Sequence, residues 1–99
     1  MTDDYLWLDG VDDETIRRER AKARDLRKTI WWQQKTASGV CYYCATRVAH
    51  HDLTMDHLIP LSRGGRSTKD NLVPSCKSCN NKKKTMLPVE WDEYLNRTR

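Results

Sequence analysis

The sequence predicts a small α+β domain held together by a metal site more than by a large core, and three observations predict it. Its 99 residues are 37% hydrophobic and 32% charged, with no Phe, which is little material for a domain near the lower size limit for independent folding. Its only cysteines are Cys41, Cys44, Cys76 and Cys79, two Cys-x-x-Cys pairs separated by thirty-one residues. That spacing lets two tight turns direct four thiolates at one tetrahedral ion. A helix-forming stretch precedes the first pair, and a strand, loop, strand and short helix run from there past the second.

Asp12 reads as an N-cap, with Asp13 and Glu14 in a positively polarised first turn. From residue 15 to about Lys35 there is no Pro or Gly, so one long helix is expected. Its apolar positions Ile16, Ala23, Leu26 and Ile30 form a narrow stripe among Arg17, Arg18, Arg20, Lys22, Arg24, Arg27 and Lys28. At least one of Trp31 and Trp32 is expected in the core. Ser38-Gly39 ends the helix, which makes residues 1–40 an N-terminal extension and 41–91 the metal-braced core. Residues 47–60 suit a β-hairpin or two short strands. Residues 62–67, SRGGRS, are a loop by composition. Asn71-Leu72-Val73 suits a strand, a short helix follows from about Cys76 to Lys84, and Pro88 opens a last helix carrying Trp91 and Leu95 at i and i+4.

Four sulfur ligands leave no open position, so the expected zinc is structural and supplies folding free energy. Two disulfides are one alternative, and a pair of redox Cys-x-x-Cys motifs, which here lacks a thioredoxin-like βαβ context, is another. The N-terminus MTDDYLWLDG is acidic where a secretory signal would be basic and then apolar, so the chain reads as cytoplasmic, in a reducing compartment. No run approaches the roughly 20 apolar residues of a membrane span.

Net charge is +4, unevenly placed. Residues 1–14 carry six acids and no base, whereas residues 15–40 and 63–84 each sum to +6. Two basic segments point to a polyanionic partner, most simply nucleic acid. The plainer account is that Lys and Arg solvate helix faces.

The stretch 55–84 concentrates chemistry. Asp56-His57 is followed by Asn71 fourteen residues after the histidine and Asn80 nine residues later. With DHLIPLSRGG, DNLVPSC, CKSCNNKKK and the preceding CYYC, this order resembles the HNH endonucleases, the ββα-metal or His-Me finger group, in its zinc-containing branch. The resemblance covers residues 41 to about 91. It implies a ββα-metal core and a one-metal phosphodiester hydrolase acting on DNA, by nicking or double-strand cleavage with low sequence specificity, and leaving 5′-phosphate and 3′-hydroxyl ends.

On chemical grounds His57 suits the general base, since imidazole titrates near neutrality. Asp56 and Asn80 offer the oxygen ligands that Mg²⁺ or Mn²⁺ prefers, with Asn81 the substitute if the helix phase differs. Asn71 is expected to tie loop backbone to the strand and hold His57 in orientation. Neighbours on a regular strand face opposite ways, so Asp56 and His57 can share one site only if the strand ends or bends there. Lys82, Lys83 and Lys84, with Arg63 and Arg66, are expected phosphate contacts. His50 and His51 read as solvated strand-edge residues. The N-terminal helix either tracks the DNA backbone or pairs two copies into a homodimer, and a targeting or packaging protein is a further partner consistent with the absence of an evident recognition domain. The rival reading is a zinc-ribbon module that binds nucleic acid without cutting it, which explains the cysteines and the charge but leaves Asp56, His57, Asn71 and Asn80 as coincidence.

Overall fold

A computed structural model describes residues 10–98; the acidic stretch at 1–9 lies outside the described residues. Asp12 caps the first helix, α1 (Asp13–Arg27), its carboxylate accepting the Thr15 N–H at 2.7 Å. The single helix expected to about Lys35 is two helices. Thr29 interrupts it: the hydroxyl donates to the Leu26 carbonyl at 2.6 Å and accepts the Trp32 N–H at 3.4 Å, capping α2 (Ile30–Thr36). A threonine hydroxyl competes with backbone partners in this way and redirects the chain. The break breaks the phase of the stripe as well, so that Ala23 is buried while Ile30 is 70% exposed. Trp32 is buried, and Trp31 is half-buried with the Lys35 and Lys69 ammoniums each 5.7 Å from its ring.

Residues 47–60 hold one strand where a hairpin or two strands were expected. Arg47 forms an isolated bridge with Val40, a 3₁₀ turn covers His50–Asp52, and only β1 (Leu53–His57) is extended. It pairs antiparallel with β2 (Leu72–Cys76), Leu53 opposite Cys76 and His57 opposite Leu72. Pro74 is tolerated in β2 because a two-stranded sheet has only edge strands. Two further helices follow, α3 (Lys77–Lys83) and α4 (Pro88–Thr98).

The result is a small α+β fold of four helices around a two-stranded sheet among the described residues. Its core gathers Cys41, Leu53, Cys76, Cys79 and Trp91, with Tyr43, Val48, Met86, Tyr94 and Leu95 packed against them. Trp91 stacks on Tyr94 and meets Tyr43 edge-on, at centroid distances of 5.5 and 5.7 Å. Helix α2 lies against β2, and α1 reaches the loop between the strands. That loop turns back tightly: a Cβ at residue 65 would sit 1.7 Å from the Ile59 carbonyl oxygen, a space only Gly65 can enter. No described helix is long and apolar enough to cross a membrane.

Candidate active site

The four cysteine sulfurs lie within 4.8 Å of one another, three of the residues buried and Cys44 exposed. Cys44 Sγ and Cys76 Sγ are 3.9 Å apart. Sulfurs about 2.3 Å from a zinc ion at tetrahedral angles stand about 3.8 Å apart, whereas a disulfide needs about 2.05 Å, so the spacing fits an ion between them. Backbone N–H groups of Tyr43 and Cys79 point at the sulfurs of Cys41 and Cys76, at 3.3 and 3.4 Å, and favour thiolate. The Thr46 hydroxyl, 3.1 Å from Cys44 Sγ, is the main cause that lowers that thiol to about 6. The group can hold zinc, and its position joins the ends of the strand pair to α3 and the core around Trp91.

Asp56 and His57 are the last two residues of β1. Because the strand stops at His57, both line one open cavity of about 300 Å³, walled also by Arg20 of α1 and by Pro60, Leu61 and Ser62 after the strand. Asp56 is held on one side: its Oδ2 accepts from the Tyr43 hydroxyl and from Lys83 Nζ, the latter at 3.3 Å. Burial and the bond to Asp56 raise the Tyr43 phenol far above its usual value, so it remains a donor. Burial pushes His57 below its ordinary 6.5; Asp56 and Glu19 oppose this and Lys83 adds to it. A neutral, half-buried imidazole is thereby favoured at neutral pH.

The Asn71 side chain bridges three backbone groups. Its Oδ1 accepts the Ile59 N–H at 2.9 Å, and its Nδ2 donates to the carbonyls of Ile59 at 3.1 Å and Arg66 at 2.8 Å. It thus ties the segment after His57 to the loop before β2. Asn80, on α3, donates from Nδ2 to Thr54 Oγ1 at 3.0 Å. Thr54 and Asp56 alternate onto the same face of β1, so Asn80 approaches that face but is not in the wall of the cavity shared by Asp56 and His57. With its nitrogen committed to Thr54, its amide oxygen is the end suited to a hard cation, as is the second oxygen of Asp56.

The basic residues divide. Lys82 and Lys84 are exposed. Lys83 corrects the expectation of a phosphate contact: its side chain is 0% exposed, its ammonium is 3.3 Å from Asp56 and donates to the His57 carbonyl at 3.2 Å, and it lies 5.6 Å from the Tyr43 ring. Its place one turn after Cys79 on the inner face of α3 accounts for this. Arg63 makes a bidentate pair with Glu90 at 3.0 and 3.2 Å and donates to the Thr85 carbonyl, which pins the loop to α4. Arg66 is exposed, its guanidinium 3.7 Å from Glu19. His50 and His51 are exposed, away from the cavity wall.

Three residues around the site carry no clear signal of a role in the sequence pattern, Glu19, Tyr43 and Ser67, and Lys83 has a different role from that expected. Glu19 left a trace, since it continues the stripe of Ile16, Ala23 and Leu26 at helical spacing, and an acid on a buried stripe needs partners. Lys83 shares the i, i+4 face of Cys79. Tyr43 lies in a turn and Ser67 in an irregular loop, where no periodicity marks an inward side chain.

Two comparisons with known proteins match the segment that carries these residues. The family model described as HNH endonuclease matches residues 41–95. The CRISPR-associated endonuclease Cas9 of Actinomyces naeslundii is 33% identical over 52 residues, which are 52% of this chain and 5% of that protein. The segment matched is therefore a small part of that relative's length. With more than half of its residues in the family match, both cysteine pairs among them, the chain belongs to the HNH endonuclease family.

Proposed function

We propose that the protein is a DNA endonuclease that hydrolyses phosphodiester bonds with His57 as general base and a divalent ion, Mg²⁺ or Mn²⁺, held by Asp56 and Asn80, on a scaffold stapled by one structural zinc at Cys41, Cys44, Cys76 and Cys79. The observation that carries this reading is the cavity shared by Asp56 and His57: a neutral imidazole and a carboxylate open to the same space beside an arginine. Neither a core histidine nor a surface aspartate requires that arrangement.

His57 takes the proton of a water as its oxygen bonds to phosphorus; the bond from phosphorus to the 3′ oxygen breaks, and that oxygen gains a proton, leaving 5′-phosphate and 3′-hydroxyl ends. When bound, the divalent ion supplies positive charge beside the phosphate and the departing oxygen. Tyr43 and Lys83 hold Asp56 by one oxygen and leave the other for that ion. Asn71 fixes the backbone that follows His57. Arg20, exposed in the cavity wall, faces the substrate phosphate, and Lys82, Lys84 and Arg66 supply the outer basic surface for the backbone.

Supercoiled plasmid incubated with zinc-loaded protein tests the reading. Conversion to open circle or linear form with Mg²⁺ or Mn²⁺, and none with EDTA, is the expected result, and the form produced tells nicking from double-strand cleavage. Retardation of the plasmid without cutting under any metal would favour the non-catalytic zinc-ribbon module.

A further inference from the structure

Helix α1 lies outside the matched residues 41–95, yet one residue, Ser67, links it by hydrogen bonds to the candidate base. Glu19 is 3% exposed on a helix otherwise rich in cations. Its carboxylate accepts the Ser67 N–H at 2.6 Å, and its own backbone carbonyl accepts the Ser67 hydroxyl. Lys22 and Arg66 flank the same carboxylate, at 3.1 and 3.7 Å. Ser67, 5% exposed in the loop between the strands, has its oxygen 2.9 Å from His57 Nε2.

The proton count decides the direction of each bond. A serine hydroxyl has one hydrogen, and a carbonyl oxygen can only accept. The Ser67 hydrogen therefore goes to the Glu19 carbonyl, so towards His57 the Ser67 oxygen must accept. Nε2 must then carry a hydrogen, and in neutral imidazole the lone pair is left on Nδ1.

We propose that Glu19 and Ser67 are positioning residues that make α1 part of the nuclease site, fixing His57 in the Nε2–H tautomer so that Nδ1 is the atom that receives the proton from water. This rests on the reading of His57 as the base. Glu19 anchors Ser67 through its carboxylate, and the backbone of α1 sets the direction of the Ser67 hydroxyl. In the other tautomer the protonated nitrogen would face the water and could accept nothing, so losing the device lowers the fraction of competent enzyme without touching substrate contacts.

The test is ¹⁵N NMR of histidine-labelled, zinc-loaded full chain at pH 8 without Mg²⁺, the His57 signals assigned by their loss in His57→Ala. Wild type is expected to show a pyrrole-type Nε2 and a pyridine-type Nδ1. Ser67→Ala should shift both signals toward the average of mixed tautomers and lower kcat by about tenfold to a hundredfold, the range for lost support of a reacting group, with KM little changed. Ser67→Thr, which restores a hydroxyl, should recover the wild-type pattern, and so should Glu19→Gln, which keeps the acceptor for the Ser67 N–H. A wild-type spectrum with the hydrogen on Nδ1, or a tautomer unaffected by Ser67→Ala in a folded variant, would overturn the proposal. The wild-type spectrum judges it even where a variant does not fold. Failure of wild type to cut DNA with any metal would instead overturn the nuclease reading, and the tautomer signature would still decide the role of Ser67.

Discussion

Replacing Lys83 with methionine separates a buried structural cation from a surface phosphate contact. Methionine keeps the unbranched stem that packs beside Tyr43 and removes only the ammonium. The Lys83 side chain is 0% exposed and that of Asp56 12%, so the variant leaves a nearly buried carboxylate with the Tyr43 hydroxyl as its remaining partner, and it also removes the donor to the His57 carbonyl. Removing one member of a buried ion pair costs about 3–5 kcal/mol. Asp56 keeps one strong hydrogen bond and some water, which argues for the lower end, about 3 kcal/mol. At about 4–8 °C per kcal/mol for a domain of this size, Tm should fall by roughly 12–24 °C. Thermal and urea unfolding of zinc-loaded protein at pH 7 reads this, with Lys82→Met, an exposed neighbour, expected within about 0.5 kcal/mol of wild type. Asp56→Asn combined with Lys83→Met should cost clearly less than the two single changes together, because the pair is coupled. A loss below about 1 kcal/mol for Lys83→Met, or strict additivity, would refute the buried pair.

Three further outcomes are expected. Chelation of zinc, or Cys76→Ser, should abolish cooperative unfolding and not merely activity, since three of the four cysteines, Cys41, Cys76 and Cys79, sit in the core with Leu53 and Trp91; circular dichroism after metal removal reads this, and metal analysis should give one zinc per chain. Glu19 has its pKa lowered chiefly by the Ser67 N–H, so its ionised form stabilises the fold above the ordinary 4.5, and that contribution is lost as pH falls through the lowered folded value. Urea midpoints for wild type and Glu19→Gln should accordingly converge as pH drops below about 4.5. Arg20→Ala should leave stability within about 0.5 kcal/mol, weaken DNA binding, and reduce the salt slope of affinity by about one; an unchanged slope would remove Arg20 from the substrate path.

The parts of the molecule legible in the sequence are those that chemistry writes into residue identity at short spacing. Four cysteines in two pairs announce a common site whatever the intervening fold, and their sulfurs do come within 4.8 Å of one another, while the Asp12 cap, the Gly-Gly loop and Pro88 mark ends that local backbone rules impose. The break at Thr29 is illegible because threonine is an ordinary helix residue until its hydroxyl finds the Leu26 carbonyl. Lys83 was misread for a related reason: a run of three lysines looks uniformly solvated, and only the phase of α3 against β1 turns the middle one inward. The strand expected upstream of Leu53 gave way to the turn at His50–Asp52, since the short chain after the second cysteine has one strand position beside β2 to fill. The link from Glu19 through Ser67 to His57 joins residues 48 apart in the chain, beyond the reach of any local pattern.

The measurement that bears most directly on the nuclease reading is a comparison of zinc-loaded wild type and His57→Ala on one end-labelled DNA duplex, with binding and cleavage followed together across a Mg²⁺ titration. Wild type should cut in proportion to bound Mg²⁺, leaving 5′-phosphate and 3′-hydroxyl ends, while His57→Ala should bind the duplex with the same affinity and cut at least a hundredfold more slowly, as loss of a general base requires. Equal cleavage by the two proteins, or binding without cleavage by either, would contradict the assignment of His57 as the base.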